Sequence, residues 1–145
     1  MLMNCDMETT ALAKVLVDTS AWIEFFRKQE PCFSVVTRLI DEEQVCCTGI
    51  ILAELMQGAK SDKELAVLAD FPHVFEFLPE TPELWAAAGR LSFNLRRSGH
   101  TIGLADCFIA AATAQAGVPL ATLDAHFEIV KKAAKISLYL IPGRK

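Results

Sequence analysis

The sequence predicts an α/β protein of three layers, with a mainly parallel central sheet flanked by helices. Three observations carry this. Short aliphatic runs alternate with longer segments of helical period, no Asn-Gly or similar hairpin turn joins two strand-like runs, and the longer segments carry helix start and stop residues. At 145 residues, one core suffices, removing roughly two thirds of the unfolded surface from water.

The elements follow in order. Residues 1–13, beginning MLMNCDMETT, form an expected loose N-terminal extension, with Met3 or Met7 as an alternative natural start. That extension lacks the basic region and apolar stretch of a signal peptide. A single domain then occupies residues 14–145. KVLV at 14–17 reads as a buried parallel strand. Ser20, or Thr19 before it, is positioned to cap a helix over 21–28, with Trp22, Phe25 and Phe26 on one face. Pro31 opens a second helix whose apolar stripe is Phe33, Val36, Leu39 and Ile40.

QVCCT at 44–48 is the second strand, and Thr48 starts a helix that Gly58 helps to end. Residues 62–69 are helical, and the alternating HVFEFL at 73–78 predicts a third strand. A long helix follows, with Thr81 as N-cap, Pro82 at its first position and Gly99 at its C-terminal end. A small-residue helix over 103–116 stops at Gly117, VPLAT at 118–122 is a strand, DAHFEIVKKAA is a helix, and ISLYLI predicts a last edge strand.

Composition narrows the function classes. A chain that is 52% hydrophobic is not disordered, and part of its apolar surface is expected to be covered by a partner or a second copy. The longest uncharged run, 107–123, falls short of the about 20 apolar residues a membrane span needs. Five cysteines without Cys-x-x-Cys or metal-like spacing read as buried thiols of a reducing, cytoplasmic compartment. The net charge of −4 argues against a broadly basic nucleic-acid surface, but metal ions can bring positive charge to an acidic site.

Four acids occupy unusual places. Asp18 follows the first strand and Asp124 follows PLAT, so both fall at the carboxyl ends of strands, where parallel α/β sheets bind ligands. Glu54 and Asp106 each lie among apolar helix neighbours, Ile50, Ile51, Leu55 and Gly58 around the first, Ile102, Gly103, Ile109 and Ala110 around the second. A carboxylate on an apolar stripe is costly unless its charge is compensated. Singly, Asp18 and Asp124 also read as helix caps, and Glu54 and Asp106 as residues at helix edges. Together, with no His or Cys ligand pattern, they suit Mg²⁺ or Mn²⁺, ions that activate water and neutralise phosphodiester charge. Without metal they repel one another, which raises some of their pKa values.

VLVDTSAWIEFF, TGIILAELMQGA and GLADCFIAAATAQAGVPLATLDAHFEIV together resemble the PIN-domain ribonucleases, most closely the VapC-type toxins of bacterial toxin–antitoxin pairs. The resemblance runs from Lys14 to Ile141. It implies a PIN-like fold in which Asp18, Glu54, Asp106 and Asp124 are the catalytic, metal-binding acids, with Ser20 and Thr122 as supporting hydroxyls. It further implies Mg²⁺-dependent (or Mn²⁺-dependent) cleavage of RNA, a homodimer, and inhibition by a cognate antitoxin. One position departs from the pattern. His126 stands where many relatives have a further acid, and reads either as a partly exposed helix residue or as a substrate contact.

Arg96, Arg97 and His100 lie just upstream of Asp106 and either contact RNA phosphates or simply favour the end of their helix. Lys131, Lys132 and Lys135 read as a solvated face. The Trp22, Phe25 and Phe26 stripe is core in part, and in part a surface for the antitoxin. The chain lacks the second aspartate of haloacid-type phosphatases, which Ser20 replaces, and the phosphate-binding loop of P-loop NTPases. It also lacks the later lysine of receiver domains. The rival reading is an inactive PIN-like domain that binds RNA or a protein.

Overall fold

The computed structural model describes residues 13–142. The expected extension, apart from Ala13, lies outside that range, as do Met3, Met7 and Cys5. The described chain forms a four-stranded parallel sheet with helices packed around it, in the strand order β3-β2-β1-β4. Its strands are β1 (Val15–Val17), β2 (Val45–Cys47), β3 (Glu76–Phe77) and β4 (Leu120–Ala121). Every residue of β1, β2 and β4 is buried. Strands covered on both faces cannot alternate with polar residues, which is why VLV and VCC are continuously apolar.

The register places Val15 beside Val45 and Leu16 beside Leu120. The strand order reverses between β1 and β4, so their carboxyl ends open the crevice where such sheets take ligands. Asp18 N–H donates to the carbonyl of Ala121 at 2.9 Å, which fastens the two strand ends together there.

The helices are α1 (Thr19–Phe26), α2 (Cys32–Asp41), α3 (Gly49–Gln57), α4 (Asp62–Ala69), α5 (Phe71–Val74), α6 (Pro82–Arg97), α7 (Leu104–Ala116) and α8 (His126–Ala134). Thr48 caps α3 by accepting from Ile51 N–H, and Thr81 caps α6 by accepting from Leu84 N–H. Gly117 ends α7 with a φ of +69°, a left-handed conformation in which a side chain would be strained. α6 and α7 pack side by side. Trp85 of α6 stacks on buried Phe108 of α7 with ring centroids 3.9 Å apart.

Three expectations need correction. The helix after β1 begins at Thr19, so Asp18 itself holds the cap position with extended backbone, and neither Ser20 nor Thr19 caps it. The expected strand over 73–78 is confined to Glu76–Phe77, because His73 and Val74 complete the short helix α5, begun by Phe71 and Pro72. ISLYLI pairs only through a bridge between Leu138 and Leu120, with Tyr139 N–H donating to the Leu120 carbonyl at 2.7 Å. A two-residue β4 offers no longer partner. The C-terminal segment is held instead through its side chains, with Arg38 of α2 donating to the Tyr139 hydroxyl at 2.6 Å.

The aromatic stripe divides as its helical spacing allows. Trp22 is buried, and its ring lies 4.9 Å from that of Phe71. Phe25 is half-buried against Phe33, and Phe26 is exposed. Cys32, Cys46, Cys47 and Cys107 are all buried. Burial pushes the thiols of Cys46 and Cys47 up to about 12, so both stay protonated and act as small core residues. Among the described residues no helix is long and apolar enough to cross a membrane.

Candidate active site

Four elements deliver the acids. The end of β1 supplies Asp18, α3 supplies Glu54, the first turn of α7 supplies Asp106, and the loop after β4 supplies Asp124. Asp18 is the innermost of them, only 4% exposed. Its Oδ2 accepts from the Thr122 hydroxyl at 2.8 Å and from the Ser20 hydroxyl at 3.0 Å. Each hydroxyl in turn accepts a backbone N–H from the β4 loop, Ser20 from Leu123 at 2.9 Å and Thr122 from Asp124 at 3.0 Å. A hydroxyl has one proton to give, so both are committed to Asp18. This relay locks the loop carrying Asp124 to the end of β1, and explains why small hydroxyl residues stand at positions 20 and 122.

Glu54 is held by a residue whose role in the site the sequence reading missed. Its Oε1 accepts from the Thr19 hydroxyl at 2.7 Å, across the contact between α1 and α3. The signal lay in DTS itself, where two hydroxyls follow one acid. Thr19 serves Glu54 while Ser20 serves Asp18. Asp124 Oδ1 accepts the backbone N–H of His126 at 2.9 Å, and the His126 imidazole Nδ1 lies 3.4 Å from the same oxygen.

The electrostatics bind these groups into one cluster. Burial, then the charges of Asp18, Asp124 and Glu54, push the Asp106 carboxyl up to about 6, with His126 opposing. Burial is also the main force raising Asp18, against the hydrogen bonds from Thr122, Thr19 and Ser20. A carboxylate whose ionisation is made costly by three acidic neighbours marks a receptor for positive charge. Donor atoms of Asp106, Asp124 and His126 lie within 4.8 Å of one another. Asp18 and Glu54 stand outside that trio but act on it through charge. Oxygen-rich donors of this kind fit a hard divalent cation, and the imidazole adds one softer donor.

The remaining candidates lie elsewhere. Arg96 and Arg97 occupy the last turn of α6, and His100 follows in the exposed turn before α7. The Arg97 guanidinium sits 5.4 Å over the ring of exposed Phe93. Lys131 makes an ion pair with Glu128 at 3.2 Å on α8, as a solvated helix face does. A groove of about 340 Å³ opens beside Glu54, lined by Ile23 and Phe26 of α1, Leu55 of α3, and Val67 and Leu68 of α4.

Comparison with known proteins accords with this architecture. The family model of the PIN domain matches residues 15–133. Ribonuclease VapC11 of Mycobacterium tuberculosis strain H37Rv is 30% identical over 128 residues, covering 84% of this chain and 95% of that protein. Among solved structures, VapBC2 of Rickettsia felis, bound to a promoter DNA fragment, superposes with a TM-score of 0.68 at 19% identity, over 86% of this chain and 96% of that one. DNA-bound VapBC of Salmonella typhimurium gives 0.66 at 25% identity, over 92% of this chain and 96% of that one.

Proposed function

Because the chain belongs to the PIN-domain family, alongside the VapC ribonucleases, we propose that it is a metal-dependent endoribonuclease and the toxin of a toxin–antitoxin pair. The observation that carries this is the convergence of Asp18, Glu54, Asp106 and Asp124 on the crevice at the ends of β1 and β4, where burial and then the other three acids raise the Asp106 carboxyl to about 6. A structural role would not require four like charges around one crevice, and the complete acid set favours a nuclease over an inactive binding module.

Asp106 and Asp124 would hold Mg²⁺ or Mn²⁺ directly, with Asp18 and Glu54 completing the negative field. A bound divalent ion supplies an activated water and charge neutralisation at the phosphodiester. The chain's own residues do the rest. Ser20 and Thr122 hold the Asp18 carboxyl in place and oppose the burial that raises it, Thr19 orients Glu54, and the relay through Leu123 and Asp124 holds the β4 loop in register. Arg96, Arg97 and His100 would contact RNA phosphates.

The chain works in the cytoplasm as a homodimer, and a cognate antitoxin covers the acidic crevice and the adjoining groove. Phe26, 44% exposed on that groove, is the aromatic residue of the stripe available to the antitoxin. Phe26→Ala should weaken antitoxin binding at least tenfold with the melting temperature retained, a loss of about 1.4 kcal/mol; unchanged affinity would remove Phe26 from that surface. The function itself is tested by sequencing RNA ends after induced expression. New ends at a defined site with the wild type, absent with Asp106→Asn, support the nuclease. Identical RNA ends with both chains would refute it.

A further inference from the structure

The acidic site carries one feature that carboxylate chemistry does not explain. His126 begins α8 at the mouth of the crevice, and its side chain is 63% exposed. It is not placed there by core packing, and its backbone N–H already satisfies Asp124, a task any non-proline residue would perform. Yet its imidazole lies 3.4 Å from Asp124 Oδ1, and it forms a group with Asp106 and Asp124 whose donor atoms are all within 4.8 Å of one another. Two ligands of one small divalent ion stand at most twice the bond length apart, about 4.2 Å. Closing from 4.8 Å takes well under an ångström, which an exposed side chain on the first turn of a helix can supply by rotation.

We propose that His126 is a ligand of the metal in this site, which makes it a mixed carboxylate–imidazole centre rather than an all-oxygen one. The proposal rests on the metal-dependent reading above and adds a ligand to it. An imidazole nitrogen is a softer donor than a carboxylate or water oxygen, and it shifts preference from Mg²⁺ toward later first-row ions such as Co²⁺. A residue that only oriented Asp124 through the 3.4 Å contact would leave the ion with oxygen donors alone. The two roles therefore differ in what the ion itself touches.

The test is pulsed electron paramagnetic resonance of the full chain loaded with Mn²⁺, in which a coordinated imidazole appears as nitrogen hyperfine modulation. The wild type should give that signal, and His126→Ala and His126→Asp should lose it, with the melting temperature of His126→Ala in metal-free buffer unchanged. Calorimetric titration should show His126→Ala weakening Co²⁺ binding by about 10–100-fold, the range seen when a residue of the ligand shell is lost. His126→Asp should lower the preference for Co²⁺ over Mg²⁺ about tenfold. Mn²⁺ bound by the wild type and lost in Asp106→Asn, but without nitrogen modulation, would overturn the ligand role and leave the metal-dependent reading intact. No Mn²⁺ binding by the wild type would overturn both.

Discussion

Asp106→Asn is expected to stabilise the metal-free protein while removing its metal site. Asp106 lies on the first turn of α7 with its carboxyl lifted from 3.8 to about 6, by burial first and then by Asp18, Asp124 and Glu54. Its folded pKa exceeds its unfolded one, so the unfolded chain gives up the proton first as pH rises. Stability is therefore lost between about pH 4 and 6, and the full penalty is present above that window. A displacement of that size corresponds to about 3 kcal/mol, which partial exposure of the side chain reduces to about 1–2 kcal/mol. Asparagine keeps the shape and sheds the charge. For a chain of this length, about 2–4 °C per kcal/mol translates the gain into a rise of about 2–8 °C. Thermal melts of wild type and Asp106→Asn in chelator, from pH 4 to 8, should show that gain at pH 7.5 and its disappearance near pH 4. A variant that melts below the wild type at pH 7.5, or a gain independent of pH, would refute the electrostatic account.

Two further perturbations probe the supports of the site. Thr19→Val removes the hydroxyl that holds Glu54 at 2.7 Å, and should lower RNA cleavage about 10–100-fold with little change in melting temperature; full activity would show that Glu54 needs no such partner. Trp22→Ala should cost about 3–5 kcal/mol, because Trp22 is buried and its ring contacts those of Phe25, Phe26, Phe71 and Phe75; a loss below 1 kcal/mol in urea denaturation would show that this cluster collapses around the gap.

Much of this molecule was legible in its sequence where local chemistry and tertiary need agreed. Thr81, Pro82 and Gly99 bracket α6 because a cap, a preset φ and a left-handed glycine each solve a problem at a helix end. Glu54 and Asp106 stood out because a carboxylate beside Ile51, Leu55, Ile102 or Ile109 has no packing reason to be there, and Asp18 and Asp124 because each follows a strand of a parallel sheet. What escaped was set by distant partners. ISLYLI has a strand's alternation, but its pairing partner β4 is two residues long, so one bridge is all it forms. The hydroxyl of Thr19 reads as a cap until α3 brings Glu54 across to it, 35 residues away in sequence. His126 reads as an exposed helix residue, which it is, and only the fold sets its ring beside Asp106 and Asp124.

The central claim is that RNA cleavage depends on a divalent ion held in the field of four carboxylates. Its most direct test is a Mg²⁺ titration of RNA cleavage by the purified chain, set beside Asp18→Asn, Glu54→Gln, Asp106→Asn and Asp124→Asn. The account predicts no cleavage in chelator, saturable activation by Mg²⁺, and a loss of about a hundredfold or more in each variant, since removing several kcal/mol of charge stabilisation has that effect. Cleavage that persists in chelator, or that survives in Asp106→Asn at the wild-type rate, would contradict it.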